Sequence, residues 1–205
     1  MDSIGHAAAA ASRSRGMTTV VAVNEDIKKI IRIAEQIDLA AINAMLIAKK
    51  IGHGQSGFSV VSAELRNFSH LLGNSMQQLQ QRVAEMVNMM AEAIRAAKML
   101  ALLQETGRAL PDSALWEPVL ARRLQARHDN QSAAAQLHGR LQLALSRAEK
   151  LCAMGLALSY SAKVEAVYGG ERSDALKQVS ADAERSIADI LHTLKGLGLQ
   201  LEHAR

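Results

Sequence analysis

Aromatic residues are scarce in this sequence: two Phe, two Tyr and one Trp among 205 residues, joined by only two prolines, Pro111 and Pro118. Strands favour aromatic and β-branched side chains, and sheets need frequent turn residues, so these shortages argue against a β-rich fold. A single cysteine, Cys152, leaves no internal disulfide framework and no cysteine-rich zinc module, and it fits a reducing compartment. No apolar run approaches the roughly 18 residues a membrane-spanning helix needs, so no membrane span is expected and a cytoplasmic location is. The 24 basic and 20 acidic residues give a net charge of +4 without a run of five like charges, so no nucleic acid is expected as a partner.

What remains is a chain that is 49% hydrophobic and rich in Ala, Leu, Met, Gln and Glu. These are strong helix formers, and there is enough apolar material to bury a core. Residues 1–19 are Ala-, Ser- and Arg-rich. Their apolar run, Ala7 to Ala11, is too short and too weak for a secretory signal, and the stretch reads as a disordered tail.

Breakers fall at Gly52, Gly54 and Gly57, at Gly107 with Pro111 and Asp112, and at Gly169 and Gly170, cutting the chain into helical segments 20–51, 58–106, 113–167 and 173–203. In the first, Val20, Val23, Ile27, Ile30, Ala34, Ile37, Ala41, Ala44, Ala48 and Ile51 recur in steps of three and four. That is a heptad seam. The second carries Val61, Leu65, Phe68, Leu72, Leu79, Met86 and Met89 onward, with Ser75 and Arg82 as interruptions. The third is clean only from Leu137 onward, because 122–132 turns polar; the fourth runs from Leu176 through Val179, Ala183 and Ile187 to Leu201. Short connections make consecutive helices antiparallel neighbours, which puts the turns at 52–57 and 168–172 at one end. The expected fold is all-α: an elongated antiparallel four-helix bundle made of a hairpin at 20–107 and a second, degenerate hairpin at 113–205.

The stretch 33–69 reads IAEQIDLAAINAMLIAKKIGHGQSGFSVVSAELRNFS. Through Ile33, Ala34, Gln36, Leu39, Ala41, Asn43, Ala44, Ala48, Gly52, Gly57, Phe58, Val60, Val61, Glu64 and Arg66 it resembles the cytoplasmic signalling tip of methyl-accepting chemotaxis receptors. The resemblance implies a coiled-coil hairpin whose tip binds the chemotaxis histidine kinase and its coupling protein. It places Leu39, Ile42, Asn43, Lys50, His53, Phe58, Val60, Val61, Glu64, Arg66 and Asn67 on the partner-binding surface, with Gly52, Gly54 and Gly57 making the turn. Leu39, Ile42, Val60 and Val61 equally suit a core at this spacing. Departures stand at Glu35, Ile47, Lys50, His53 and Ser56. A carboxylate at Glu35 would be costly to bury in a packed receptor trimer, so that assembly is not expected. Neither methylation sites nor a sensor domain is expected.

Setting Ala34-Glu35 over Ala148-Glu149 also aligns Ile42 with Leu156 and Ala48-Lys49 with Ala162-Lys163, at an offset of 114. After an insertion at Gly169-Gly170, Ala63-Glu64 falls over Ala183-Glu184. This suggests two receptor-like hairpins fused into a pseudo-dimer, monomeric at 22.1 kDa, in which only the first tip keeps receptor-like residues.

The seven histidines form no HxxxH or HExxH pair, Cys152 lies beside an apolar stripe, and no Gly-rich loop follows a strand. No catalytic, metal or cofactor constellation is visible, so the chain is not expected to be an enzyme. The function expected is that of a chemotaxis accessory protein that binds the kinase and coupling protein, or a receptor methyltransferase. The alternatives are a self-associating helical scaffold and an amphipathic protein of membrane surfaces.

Overall fold

A computed structural model describes the backbone of residues 2–51, 56–109, 117–168 and 173–203, and the side chains of 19–50, 57–106, 118–168 and 174–202. The described chain is all-α, with four helices: α1 (Asp2–Ile51), α2 (Ser56–Ala109), α3 (Glu117–Val167) and α4 (Ser173–His203). Gly52, His53 and Gly54 lie outside the described residues. Helical backbone in α1 already starts at Asp2, where the sequence suggested a tail to residue 19. Alanine-rich segments extend an existing helix readily, since propagation avoids the cost of nucleation.

The chain forms two compact units: Met1–Gln80 with Leu143–Arg205, and Gln81–Gln142. In the first, four helical segments enclose one core. The Ser69 hydroxyl in α2 donates to the carbonyl of Ala34 in α1 over 2.7 Å. Phe68 lies against Gly155 of α3, Lys163 of α3 pairs with Glu184 of α4, and Gln200 of α4 donates to Asp26 of α1. Each helix therefore runs antiparallel to its neighbours. α1 and α4 approach closely because Ala34, Ala41, Ala44 and Ala48 keep α1 thin on its buried side.

The buried positions carry a repeat. In α1 they are Ile27, Ile30, Ala34, Ile37, Ala41, Ala44 and Ala48; in α3 they are Leu145, Ala148, Cys152, Gly155, Ser159, Ala162 and Ala166. In α2 the row is Phe58, Ser62, Leu65, Ser69, Leu72, Met76 and Leu79, with Phe68 also buried beside it while its equivalent Ser186 is half-buried; in α4 the row is Leu176, Ser180, Ala183, Ile187, Ile190, Leu194 and Leu197. One offset of 118 residues relates the first list to the second and the third to the fourth, position by position, with no insertion at the turn. It also sets Val61-Ser62-Ala63-Glu64 over Val179-Ser180-Ala181-Asp182.

This corrects the offset of 114. At 114, Ile30, Ile37 and Ala44 would fall on Ala144, Leu151 and Leu158, all only half-buried. The contacts agree with 118, since Phe68, next to Ser69 on Ala34, packs at Gly155, near Cys152. A heptad seam resembles itself after a shift of three or four residues, and only the burial of each side chain separates the registers. The core of α2 also moves by one residue from the expected stripe: Met76 and Val83 are buried in place of Ser75 and Arg82, and the interruptions vanish.

The unit 81–142 contains the C-terminal half of α2 and the N-terminal half of α3. The Arg82 guanidinium donates to the carbonyl of Arg140 over 3.2 Å. From 118 to 136 every α3 side chain is exposed except the half-buried Leu120, as the polar run at 122–132 suggested.

Candidate functional site

Near their 51/56 ends, α1 and α2 expose the large aliphatic side chains Leu39 and Val60, each at 62%, and Leu46. Asn43, Lys50, Glu64, Arg66 and Asn67 are also exposed, while Ile42 and Val61 are half-buried. Phe58 is not part of this surface. It is 1% exposed and opens the buried row of α2, so its ring is core. His53 lies outside the described residues. Gly57, expected in the turn, is instead the second residue of α2, and a Cβ there would run into the carboxylate of Glu165 on α3. Its place next to Glu165 puts the N-terminal end of α2 beside the C-terminal end of α3.

These residues do not form one patch. Between α1 and α2 a shallow cleft is lined by Met45, Ala63, Arg66, Asn67 and His70. Next to it, Glu35, Asp38, Leu39, His70 and Asn74 line a second. Asp38 joins the helices: its carboxylate accepts from Arg66 Nε at 3.1 Å and lies 3.3 Å from His70 Nε2. Asn43 and Lys50 face the other way, with Leu46 and Ile47, toward Ala175, Gln178 and Val179 of α4. Sequence reading missed Asp38 and His70, because a pairing across two helices leaves no local spacing to read.

The second hairpin has its own charged cluster. Lys163 pairs with Glu184, and its Nζ stands 5.7 Å from the centre of the Tyr160 ring. The Lys163 hydrogen bond, partly opposed by burial and aided by a hydrogen bond from Tyr160, holds the Glu184 carboxyl below its ordinary value. Cys152 is fully buried, and burial, with a smaller contribution from Glu149, pushes its thiol up to about 12. A thiol so rarely ionised is a poor nucleophile. Among the described residues no three His, Cys, Asp or Glu side chains are arranged to hold a metal ion, and no helix is long and apolar enough to cross a membrane.

No protein-family model matches the chain. A stretch of 66 residues, 32% of the chain, is 36% identical to the methyl-accepting chemotaxis protein PctB of Pseudomonas aeruginosa and covers 10% of that protein. Over 64 residues, 31% of the chain, it is 34% identical to the methyl-accepting chemotaxis protein PscA of Pseudomonas syringae pv. tomato, again covering 10%. A third relative, the methyl-accepting chemotaxis protein McpG of Pseudomonas putida, is 35% identical over 66 residues, which are 32% of this chain and 11% of that protein. The chain thus carries a partial, divergent segment similar to methyl-accepting chemotaxis proteins, and spans about a tenth of the length of these relatives.

Proposed function

We propose that this chain is a non-enzymatic, cytoplasmic chemotaxis accessory protein whose first hairpin offers a receptor-like docking surface to a signalling component. The candidate partners are the histidine kinase with its coupling protein, or a receptor methyltransferase. The observations that carry this reading are a 66-residue segment similar to a methyl-accepting chemotaxis protein and, within the receptor-like stretch 33–69, exposed Leu39 and Val60 on adjacent helices. Large aliphatic side chains left in solvent cost hydrophobic free energy that a partner recovers. Because four helical segments of one chain close the core, the surface is presented without a second chain to complete the bundle.

The test uses the full chain and a Leu39→Lys/Val60→Lys variant, both immobilised and offered purified kinase, coupling protein and methyltransferase. Both positions are exposed, so the variant should keep its helicity. Capture of one component by the parent is expected, falling about tenfold or more in the variant. Equal capture by both chains, or none by either, would remove the docking role.

A further inference from the structure

The 118-residue repeat allows the two hairpins' outer faces to be compared position by position. On α1 the face near the tip carries Glu35, Leu39, Leu46, Lys49 and Lys50; their equivalents on α3 are Ala153, Ala157, Val164, Val167 and Tyr168. Every charge is gone. Met154, Tyr160 and Ser161 complete the exposed positions of α3 from 153 to 168, and none of them is charged. Five of these side chains remain 55–73% exposed: Met154, Tyr160, Val164, Val167 and Tyr168.

We infer that this stripe is a self-association surface whose occupant is α3 of a second copy of the chain, packed antiparallel about a two-fold axis near Tyr160 and Ser161. The first argument is area. The five side chains present on the order of 600 Å² per copy, as large as the biggest apolar patches of ordinary monomers, so two copies have up to about 1,200 Å² to bury, against the roughly 1,000 Å² a specific interface needs. The second is shape. The stripe is small at one end, Ala153 and Ala157, and large at the other, Val164 and Tyr168. Antiparallel pairing sets Ala157 against Val164 of the second copy, Ala153 against its Tyr168 and Tyr160 against its Ser161, each a large side chain on a small one, and leaves Met154 on Val167 as an apolar pair. Parallel pairing would set Ala against Ala and leave a gap. The third is charge: the exposed positions carry none and give a charged partner nothing to pair with, while the ion at their edge, Lys163 beside the Tyr160 ring, is already paired with Glu184.

This inference does not depend on the chemotaxis reading. It departs from the 22.1 kDa monomer expected from the sequence, because a core closed within one chain removes only the need for a core-sharing dimer.

Light scattering of the full chain over about 5–500 µM should give a mass rising from 22.1 kDa toward twice that value. Val164→Lys with Tyr168→Lys should weaken association at least tenfold while helicity by circular dichroism stays unchanged; Leu46→Lys, on the equivalent α1 face, should leave association intact. Ser161→Cys, beside the axis, should give a disulfide-linked dimer on mild oxidation, whereas Gln178→Cys on exposed α4 should not. A 22.1 kDa mass throughout, association indifferent to the Val164/Tyr168 change, or equal cross-linking at both cysteines would overturn the inference. Leu39→Lys/Val60→Lys should still dimerise, so loss of capture with an intact dimer, or the reverse, tells the two readings apart.

Discussion

Gly155 shows how much one missing methyl group decides. A Cβ at this position would stand 2.7 Å from two ring atoms of Phe68, itself only 3% exposed, so the ring has no open space to move into. Alanine is favoured over glycine within a helix by about 1 kcal/mol, so helix propensity alone would make Gly155→Ala stabilising. Overpacking opposes it at about 1–3 kcal/mol and should win. The expected outcome in urea titration is a net loss of up to about 2 kcal/mol, with a Phe68→Leu partner change restoring part of it. A gain in stability would mean that the ring yields. Gly57 makes the useful contrast, since the obstacle there is the mobile end of Glu165. Local sequence marks Gly57 as a breaker and gives no sign that Gly155 seats an aromatic ring in mid-helix.

At the scale of the helix, the serines in the buried rows explain why the seam could be seen while its exact line could not. Ser62, Ser69, Ser159 and Ser180 are all buried, and a hydrophobicity count treats each as a gap. Three are satisfied by carbonyls: Ser69 by Ala34 on the neighbouring helix, Ser159 by Gly155 and Ser180 by Leu176 within their own helices. Ser62 has no protein partner for its hydroxyl. Removing a satisfied buried hydroxyl costs about 1 kcal/mol, and more if it leaves an orphan behind, whereas removing an unsatisfied one is neutral or favourable. Ser69→Ala should therefore lower stability by about 1 kcal/mol and Ser62→Ala should leave it unchanged or raise it by up to about 1 kcal/mol, both read by thermal and urea unfolding. The reverse order would show that Ser62 is held by a bound water and that the α1–α2 bond is expendable.

Across the whole chain, the two compact units differ in what protects them. In 145–166 of α3, seven positions sit in a core enclosed by four helical segments, while 118–136 leaves almost every side chain in solvent. Helix hydrogen bonds without tertiary burial open with little cost, because isolated helical segments are marginal in water. Amide hydrogen exchange should accordingly be at least about a hundredfold faster in 118–136 than in 145–166. Uniform protection along α3 would mean that the polar half has packing the sequence does not announce.

The sequence by itself determined the helical class, the bounds of α2, α3 and α4 and the C-terminal end of α1 to within a few residues, most of the α1 and α4 seams, and the similarity of 33–69 to a receptor tip. All of these depend on composition, breakers and periodicity, which act locally along the chain. Tertiary structure alone decided the register of the repeat, the withdrawal of Phe58 into the core, the Asp38–Arg66–His70 cluster and the side of α3 on which the apolar stripe emerges. Each is a relation between residues far apart in sequence. A seven-residue rhythm tolerates several alignments, and only side chains competing for the same buried volume select one.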